Sequence, residues 1–313
     1  MRTIVAIGEL NPDLILQDYS SFPELGKEVV VRDCALTMGS ATAICAVGLA
    51  RLGNQVRFFG RVGQDPYGEF CIRFLERVGI DVSWMRPDEN LKTGITVSVT
   101  SAKDRALVTY LGAMLELRAE DVTDELLSGA DHLHMSSYYL QEGLRPGIPD
   151  VLERAKRLGL TTSLDPGFDP SEKWVPDIVI ALEQVDVFFP NEVELLGITG
   201  FEDPAAALAK LNNGHTLTVA KLGRRGAMAL ENGVPVSVGA FPVSPVDTTG
   251  AGDSFNAGFL HRWTHGAPLA EALRFGAACG AISTLAFGGC GGQATEAQAQ
   301  ELLERSSAAQ CRQ

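Results

Sequence analysis

Short apolar runs typical of β-strands alternate with helical runs along most of this 313-residue chain, and this alternation limits its fold most strongly. Thr3–Ile7 is a strand-like run, and 67–78 carries apolar residues at helical spacing. The order strand, helix, strand recurs at His132–Met135, 149–158 and Thr161–Leu164. Strands joined through helices run parallel, with helices on both faces of the sheet. The pattern therefore predicts a layered α/β fold, and no linker divides the 313 residues into separate domains.

Two stretches break this alternation. Residues 93–112 hold two β-rich runs around a polar turn at 102–105, a pattern typical of a hairpin. Residues 13–36 are also β-rich, at 14–16 and at 29–31. We expect both stretches to form a small antiparallel sheet that projects from the core as a lid over a site. An edge extension of the main sheet fits the same pattern.

The charge balance excludes some classes of partner. Lys and Arg number 26 against 39 Asp and Glu, so the net charge is −13. An acidic chain of this kind is not expected to bind nucleic-acid backbones or anionic membranes. The sequence holds no 18-residue apolar run, and its first residues lead into a strand without a signal-peptide pattern. We expect a cytoplasmic protein.

The segment 246–260 carries the clearest chemical signal. A helix is predicted to begin near Gly250, and the small residues Gly250, Ala251 and Gly252 leave its first N–H groups uncovered. Such groups lack helical partners and lie at the positive end of the helix dipole, so they form an anion site. Asp253 places a carboxylate beside that site, and this combination suits phosphoryl transfer to a hydroxyl. A tight loop with Asp253 as a capping residue is the structural alternative.

The sequence Asp-Thr-Thr-Gly-Ala-Gly-Asp-Ser-Phe-Asn-Ala-Gly at 247–258 closely resembles the second signature of the ribokinase-like (PfkB) carbohydrate kinase family. The resemblance extends over nearly the whole chain. It implies a three-layer sandwich with a mostly parallel sheet and a β lid, and an ATP-dependent kinase that phosphorylates a sugar. It also implies that Asp253 is the general base and that the amides of 250–253 form the anion hole.

Two further segments resemble the family's sugar-binding elements. Gly-Glu-Leu-Asn-Pro-Asp at 8–13 is similar to a G-x-x-N-x-D turn, which implies that Asn11 and Asp13 contact the acceptor. A plain turn is the alternative for this motif. The first signature aligns at Gly39 and Ser40, which we also expect at the acceptor.

The chain departs from the family pattern at two positions. Ile44 stands where the first signature has an Asn that faces the sugar, which predicts a drier acceptor pocket. Asp169 stands where many relatives carry an Arg, and this weakens the expectation of a phosphorylated acceptor, since Arg is the usual phosphate clamp.

Asn191 and Glu194 match the family's N-x-x-E element at a junction between strand and helix. An amide and a carboxylate placed in this way can hold Mg²⁺ through its water shell. A helix cap followed by first-turn acids explains the residues equally well. The resemblance further implies a monovalent cation, often K⁺, bound at Asp247 and Thr249.

The segment 219–226 resembles the family's nucleotide-binding turn, in which Gly223 and Gly226 let the backbone approach ATP and Lys221 or Arg225 balances its charge. An ordinary hairpin turn is the alternative. The resemblance places the adenine near this turn and near a helix predicted at 269–287.

Two other functions share this fold. The chain could be a nucleoside kinase of the same family, or a sensor that binds a sugar or nucleotide without turnover. The acceptor is thus expected to be a small molecule, a sugar or a nucleoside. Dimers formed through the lid are common among relatives, so a homodimer is expected as well.

Overall fold

The computed structural model describes residues 1–19, 21–100 and 105–310. In these residues the strands are β1 Thr3–Ile7, β2 Pro12–Gln17, β3 Asp33–Met38, β4 Gln55–Phe59, β5 Ile95–Thr100, β6 Arg105–Tyr110, β7 His132–Met135, β8 Thr161–Leu164, β9 Val187–Phe188, β10 Leu217–Lys221, β11 Ala227–Glu231 and β12 Val234–Val238. The α-helices are α1 Ala41–Arg51, α2 Pro66–Val78, α3 Asp124–Leu127, α4 Ile148–Arg157, α5 Ile178–Leu182, α6 Glu192–Thr199, α7 Pro204–Leu211, α8 Ala251–Thr264, α9 Leu269–Ser283 and α10 Glu296–Gln310. Among the described residues, no helix has the length and apolarity needed to cross a bilayer.

The large sheet has eight strands in the order β12-β11-β10-β9-β8-β7-β1-β4. Every pairing from β4 to β10 is parallel. Only β11 and β12, which follow β10 as consecutive hairpins, pair antiparallel. The predicted α/β fold with a mostly parallel sheet is confirmed.

Helices cover both faces of this sheet. Successive residues of β1 point to opposite faces, so Ile4 and Ala6 belong to one core with α1, α8 and α9. Val5 and Ile7 belong to the other core with α4, α5 and α7. Because both faces are buried, the strand reads as a continuous apolar run. The result is the three-layer sandwich that the family resemblance implied.

Helix α2 shows how closely local sequence sets the boundaries. Asp65 caps its first turn by accepting hydrogen bonds from the N–H groups of Tyr67 and Gly68, and Pro66 occupies the first helical position. Gly79 ends the helix at φ 88°, a left-handed conformation that glycine adopts without strain.

The predicted lid is a separate four-stranded sheet with the order β3-β2-β5-β6, so it is not an extension of the large sheet. The expectation that it is wholly antiparallel is wrong, because β2 and β5 pair in parallel. The chain passes through β4 and α2 between these two strands, a connection long enough to return it in the same direction.

Two predicted boundaries are also wrong. The β-branched run at 29–31 forms no strand, and Val30 is exposed there without a sheet neighbour to pack against. The helix predicted at 269–287 ends at Ser283, ahead of the glycine-rich residues 288–292. The polar turn predicted at 102–105 lies mostly outside the described residues.

Candidate active site

Polar residues meet at one edge of the large sheet, where its parallel strands end. Asn11 lies beyond β1, Asp165 follows β8, Asn191 lies beyond β9 and Lys221 closes β10. Strand β1 lies between β4 and β7, so the strand order reverses beside it. Open α/β sheets bind their ligands at the carboxyl ends of the strands near such a reversal. The site is therefore where the fold favours one.

Helix α8 begins at this edge, and its N-cap position requires a glycine. Gly250 caps the helix at φ 72°. A Cβ on it would lie 2.7 Å from Cα of Gly289 and 2.9 Å from Cγ2 of Ile44. Both the left-handed backbone and this close approach require glycine. Packing against Gly289 and Ile44 therefore fixes the turn at which the predicted anion site begins.

The first amides of α8 are largely uncovered. Within the described part of the chain, the N–H groups of Gly250, Gly252 and Asp253 have no hydrogen-bond partner. Ala251 differs from the prediction, because its N–H donates to the carbonyl of Thr248 at 3.3 Å. Three of the four predicted amides are therefore available to an anion.

Asp253 lies half-buried in the first turn of α8, beside these amides. Burial raises the pKa of its carboxyl to about 8, and the neighbouring carboxylate of Asp165 adds to the rise. The Lys221 ammonium opposes it, while Glu9 and Glu194 contribute in the same direction as Asp165. The side chain thus shares a cluster of charges and does not point into bulk solvent.

A buried ion pair, which the sequence did not predict, lies beside the first turn of α8. Lys221 Nζ donates to Asp165 Oδ2 at 2.6 Å. Burial alone would lower the pKa of Lys221, but Asp165, Glu194 and Asp253 raise it above its ordinary value. Burial would likewise raise the pKa of Asp165, but Lys221 holds it below the usual range. The position of Asp165 directly after a buried parallel strand was the signal that pointed to it.

Asn191 and Glu194 form a reciprocal cap at the start of α6. The Glu194 N–H donates to Asn191 Oδ1 at 2.9 Å, and the Asn191 N–H donates to Glu194 Oε2 at 2.7 Å. Glu194 is only 4% exposed, and burial together with the charge of Asp165 raises its pKa to about 7. The capping alternative is therefore realised, yet the same carboxylate faces the charged cluster.

Among the described residues, no group of three or more His, Cys, Asp or Glu side chains could hold a metal ion directly. A pair of oxygen donors such as Asn191 and Glu194 suits the outer shell of Mg²⁺, which keeps several waters and binds phosphates. Burial raises the pKa of Glu194, and a neighbouring cation would favour the ionised form of its carboxyl.

Asp247 and Thr249, predicted at a monovalent cation, shape the loop before α8. Asp247 Oδ1 accepts from the N–H of Thr249 at 2.9 Å and from its hydroxyl at 2.7 Å. Asp247 Oδ2 accepts from the Gly288 N–H at 2.9 Å. These bonds give both residues a structural role, and the cation stays a prediction.

The predicted acceptor residues lie where the small sheet joins the core. Asn11 is buried, and its Nδ2 donates to Thr96 Oγ1 of the small sheet at 3.3 Å. Asp13 lies directly against Gly39, where a side chain would collide with its carboxylate. The Ser40 hydroxyl donates to the Glu9 carbonyl and accepts from the Ala43 N–H, so it caps α1. Asn11, Asp13 and Gly39 are thus brought together, while Ser40 has a capping task.

Ile44 does not line an open pocket. Its side chain is buried and packs beneath Gly250 and Gly289. The expectation that Ile44 dries the acceptor pocket is therefore wrong, because the side chain supports the loop at the start of α8. Asp169, the other departure, accepts from Ser171 and Trp174 and braces its own loop.

The predicted nucleotide turn separates into buried and exposed parts. Lys221 is buried in the ion pair, whereas Arg225 is exposed and paired with Glu192. Gly226 adopts φ 93°, and a side chain on it would collide with the Val238 carbonyl. Gly226 thus has the structural role that the hairpin-turn alternative gives it. Gly223, at φ 55°, has open space where a side chain would project, so the approach of a ligand there stays a prediction.

Glu9 is a further buried carboxylate that sequence reasoning passed over. It accepts from the Thr42 hydroxyl at 2.6 Å, from the Thr42 N–H at 3.2 Å and from the Ser137 hydroxyl at 2.8 Å. Burial raises its pKa despite these bonds. Its position two residues after β1 was the available signal.

Comparison with known proteins decides the family. Residues 1–296 match the pfkB family carbohydrate kinase. The chain belongs to the PfkB carbohydrate kinases. Members of this family phosphorylate sugars with ATP, and the reaction class predicted from the anion site is confirmed.

Individual relatives support the assignment over the length of the chain. A fructokinase of Klebsiella pneumoniae is 35% identical over 268 residues, which cover 80% of this chain and 86% of that protein. An ATP-dependent ribose-1-phosphate kinase of Halopiger xanaduensis is 30% identical over 308 residues, covering 97% and 99%. The structure of an Arabidopsis thaliana ribokinase complexed with ribose and ATP superimposes with a TM-score of 0.84 at 25% identity, covering 97% of this chain and 99% of that one.

Proposed function

We propose that this PfkB kinase transfers the γ-phosphoryl group of ATP to a hydroxyl of a neutral sugar, with Asp253 as the general base. The uncovered amides of Gly250, Gly252 and Asp253 beside this carboxylate carry the proposal. The amides stabilise negative charge on the transferring group, and the carboxylate takes the proton of the attacking hydroxyl. A pKa near 8 suits this task, since a base works best when its pKa lies near the working pH.

The acceptor is placed at the junction of core and lid. Asn11 offers an amide and Asp13 a carboxylate, and Gly39 leaves room beside Asp13. Asp169 stands where an Arg would clamp a phosphorylated acceptor, and its carboxylate only accepts hydrogen bonds. These groups favour a neutral polyol. The small sheet carries polar Thr96 toward Asn11 and serves as a lid that excludes water from the reaction.

Asn191 and Glu194 would hold Mg²⁺ through its water shell. Bound Mg²⁺ neutralises charge on the phosphates of ATP. The chain's own contribution is the buried carboxylate of Glu194, fixed in orientation by its bonds to Asn191. A monovalent cation at Asp247 and Thr249 is the family's pattern and is proposed on that resemblance alone.

An ADP-release assay across neutral pentoses and hexoses, sugar phosphates, keto-deoxy sugar acids and nucleosides tests the acceptor. We expect turnover with a neutral sugar and at least tenfold lower kcat/KM with the other classes. Preferred turnover of a nucleoside or a phosphorylated sugar would overturn the proposed acceptor. ATP binding without turnover of any compound would favour the sensor alternative.

The outer face of the lid supports a homodimer. Leu14, Leu36, Val97 and Val108 lie on one face by strand register, and the opposite face carries Thr96. Val108 is 66% exposed on this apolar face. Exposed apolar side chains grouped on one face are a common feature of protein interfaces. We propose that a second copy of the chain covers it.

Val108→Lys tests the dimer, with Leu107→Lys as the control, because the two neighbours point to opposite faces of β6 and both are exposed. Light scattering should show a dimer that Val108→Lys dissociates and Leu107→Lys preserves. A monomeric parent protein would refute the dimer.

A further inference from the structure

Lys221 and Asp165 form an ion pair that is largely removed from solvent. The side chain of Lys221 is 12% exposed and that of Asp165 is 5% exposed. Taking two charges out of water usually offsets most of their attraction, so a buried pair adds little to stability by itself. Its place beside the first turn of α8 suggests a use in the reaction.

Asp165 is held from several directions. Its Oδ2 accepts from Asn256 Nδ2 at 2.6 Å as well as from Lys221, and its Oδ1 accepts from the Gly167 N–H at 2.9 Å. Asn256 follows Asp253 by three residues on α8, so it projects from a similar face of that helix. The carboxylate therefore links the sheet edge to the helix that carries the anion site.

The ammonium of Lys221 lies next to that anion site. A Cβ built on Gly252 would be 3.5 Å from Nζ, an ordinary contact distance. Among the described residues, Asp165 is the one hydrogen-bond acceptor of this ammonium, which has three N–H donors. Donors therefore remain for a group that binds at the amide of Gly252.

We infer that Lys221 contacts the transferring phosphoryl group directly and that Asp165 and Asn256 are positioning residues that hold its ammonium there. This inference rests on the proposed function and adds a charged donor to the anion hole. A fixed cation in a water-poor site stabilises developing negative charge without reorganisation. Lys221 lies at the end of β10 and the amides lie at the start of α8, so two different elements of the fold contact the phosphoryl group.

A purely structural role makes a different prediction. If Lys221 only neutralises Asp165, removing both charges together restores the balance, and the double variant Lys221→Met/Asp165→Asn turns over at close to the parent rate. If Lys221 contacts the phosphoryl group, the double variant stays impaired, with kcat lower by about 10²–10³. Recovery of the double variant to within about threefold of the parent would overturn the inference.

The single variants and a matched control complete the test. Lys221→Met should lower kcat by a similar factor, and should that variant not fold, the charge-balanced double variant decides alone. Lys156→Met removes a more exposed Lys–Asp pair, formed between Lys156 on α4 and Asp186, and should leave kcat unchanged. A comparable loss in the Lys156 variant would show that any broken pair impairs the enzyme, and would overturn the assignment.

The pH dependence of kcat in Asp165→Asn separates a positioning role from a packing role, because a packing role alone would not shift it. Asp165 raises the pKa of Lys221 against the opposing effect of burial, so its removal lets the ammonium lose its proton at lower pH. The kcat of Asp165→Asn should therefore decline on the alkaline side at a lower pH than that of the parent. An unshifted alkaline limb would contradict the positioning role. Asp253→Asn, measured alongside, tests the proposed general base separately, because Lys221 and Asp165 are unchanged in that variant.

Discussion

The ammonium nitrogen of Lys221 lies beside the second residue of helix α8, at an ordinary contact distance of 3.5 Å from a Cβ built on Gly252. The space at Gly252 therefore accommodates a methyl group, although we propose that an anion binds there. Stability and activity should therefore respond in opposite directions at this position.

Gly252→Ala should retain or raise stability, because alanine is favoured over glycine in a helix by about 1 kcal/mol. Its methyl group would cover the space between the amide and Lys221, so kcat/KM for ATP should fall by at least tenfold. Gly250→Ala is the matched comparison, since its left-handed backbone and close contacts predict a loss of stability. Thermal unfolding and steady-state kinetics measure both. A fully active Gly252→Ala would place the phosphate elsewhere.

Glu194→Gln should raise the Mg²⁺ concentration needed for half-maximal activity, because the amide keeps the helix cap but loses the charge. A several-fold increase is expected in a Mg²⁺ titration at saturating ATP. Glu192→Gln alters another first-turn acid of α6, one paired with Arg225, and should change this requirement less. Equal responses of the two variants would argue against Glu194 as the Mg²⁺ residue.

The pH profile should report the coupled carboxyls. Asp253 and Glu194 have pKa values raised to about 8 and about 7. A general base must be ionised, so kcat/KM should rise with pH through this interval. Because the two carboxyls interact, the apparent pKa of this rise belongs to the pair and not to either residue alone. Because Glu194 raises the pKa of Asp253, Glu194→Gln should move the limb to lower pH. A flat profile between pH 6 and pH 9 would contradict the account.

Ile44→Asn should destabilise the fold by about 1–3 kcal/mol, because it buries an amide without a partner. Ile44→Val, which only removes a methyl group, should cost about 0.5–1.5 kcal/mol. Denaturant unfolding measures both. If Ile44→Asn were as stable as the parent and accepted new sugars, the side chain would have to face the acceptor pocket.

The sequence was sufficient for features that depend on neighbouring residues. The glycine at 250, the helix start and the cap by Asn191 follow from local backbone and side-chain chemistry, and each lies where it was predicted. The partners of Asp165 were not predictable in this way, because Lys221 and Asn256 are distant in the chain and meet only when β8, β10 and α8 assemble.

The contacts of Ile44 were also not predictable from neighbouring residues. Alignment identified its position in the first signature, but its contacts are with Gly250 and Gly289, more than 200 residues away. Whether a side chain faces a pocket or a core depends on such distant packing. The β-branched run at 29–31 likewise had the composition of a strand but no neighbouring strand to pair with.

Asp253→Asn tests the central claim most directly. We expect kcat to fall by about 10²–10⁴ while ATP still binds. The folded-state pKa of Asp253 is raised above the ordinary 3.8, so its stabilising contribution is full below that value and is lost as pH rises through about 8. The variant should therefore be at least as heat-stable as the parent at pH 8. Such a result would show that the loss of turnover does not come from unfolding. Near-normal kcat in a folded Asp253→Asn enzyme would contradict the mechanism.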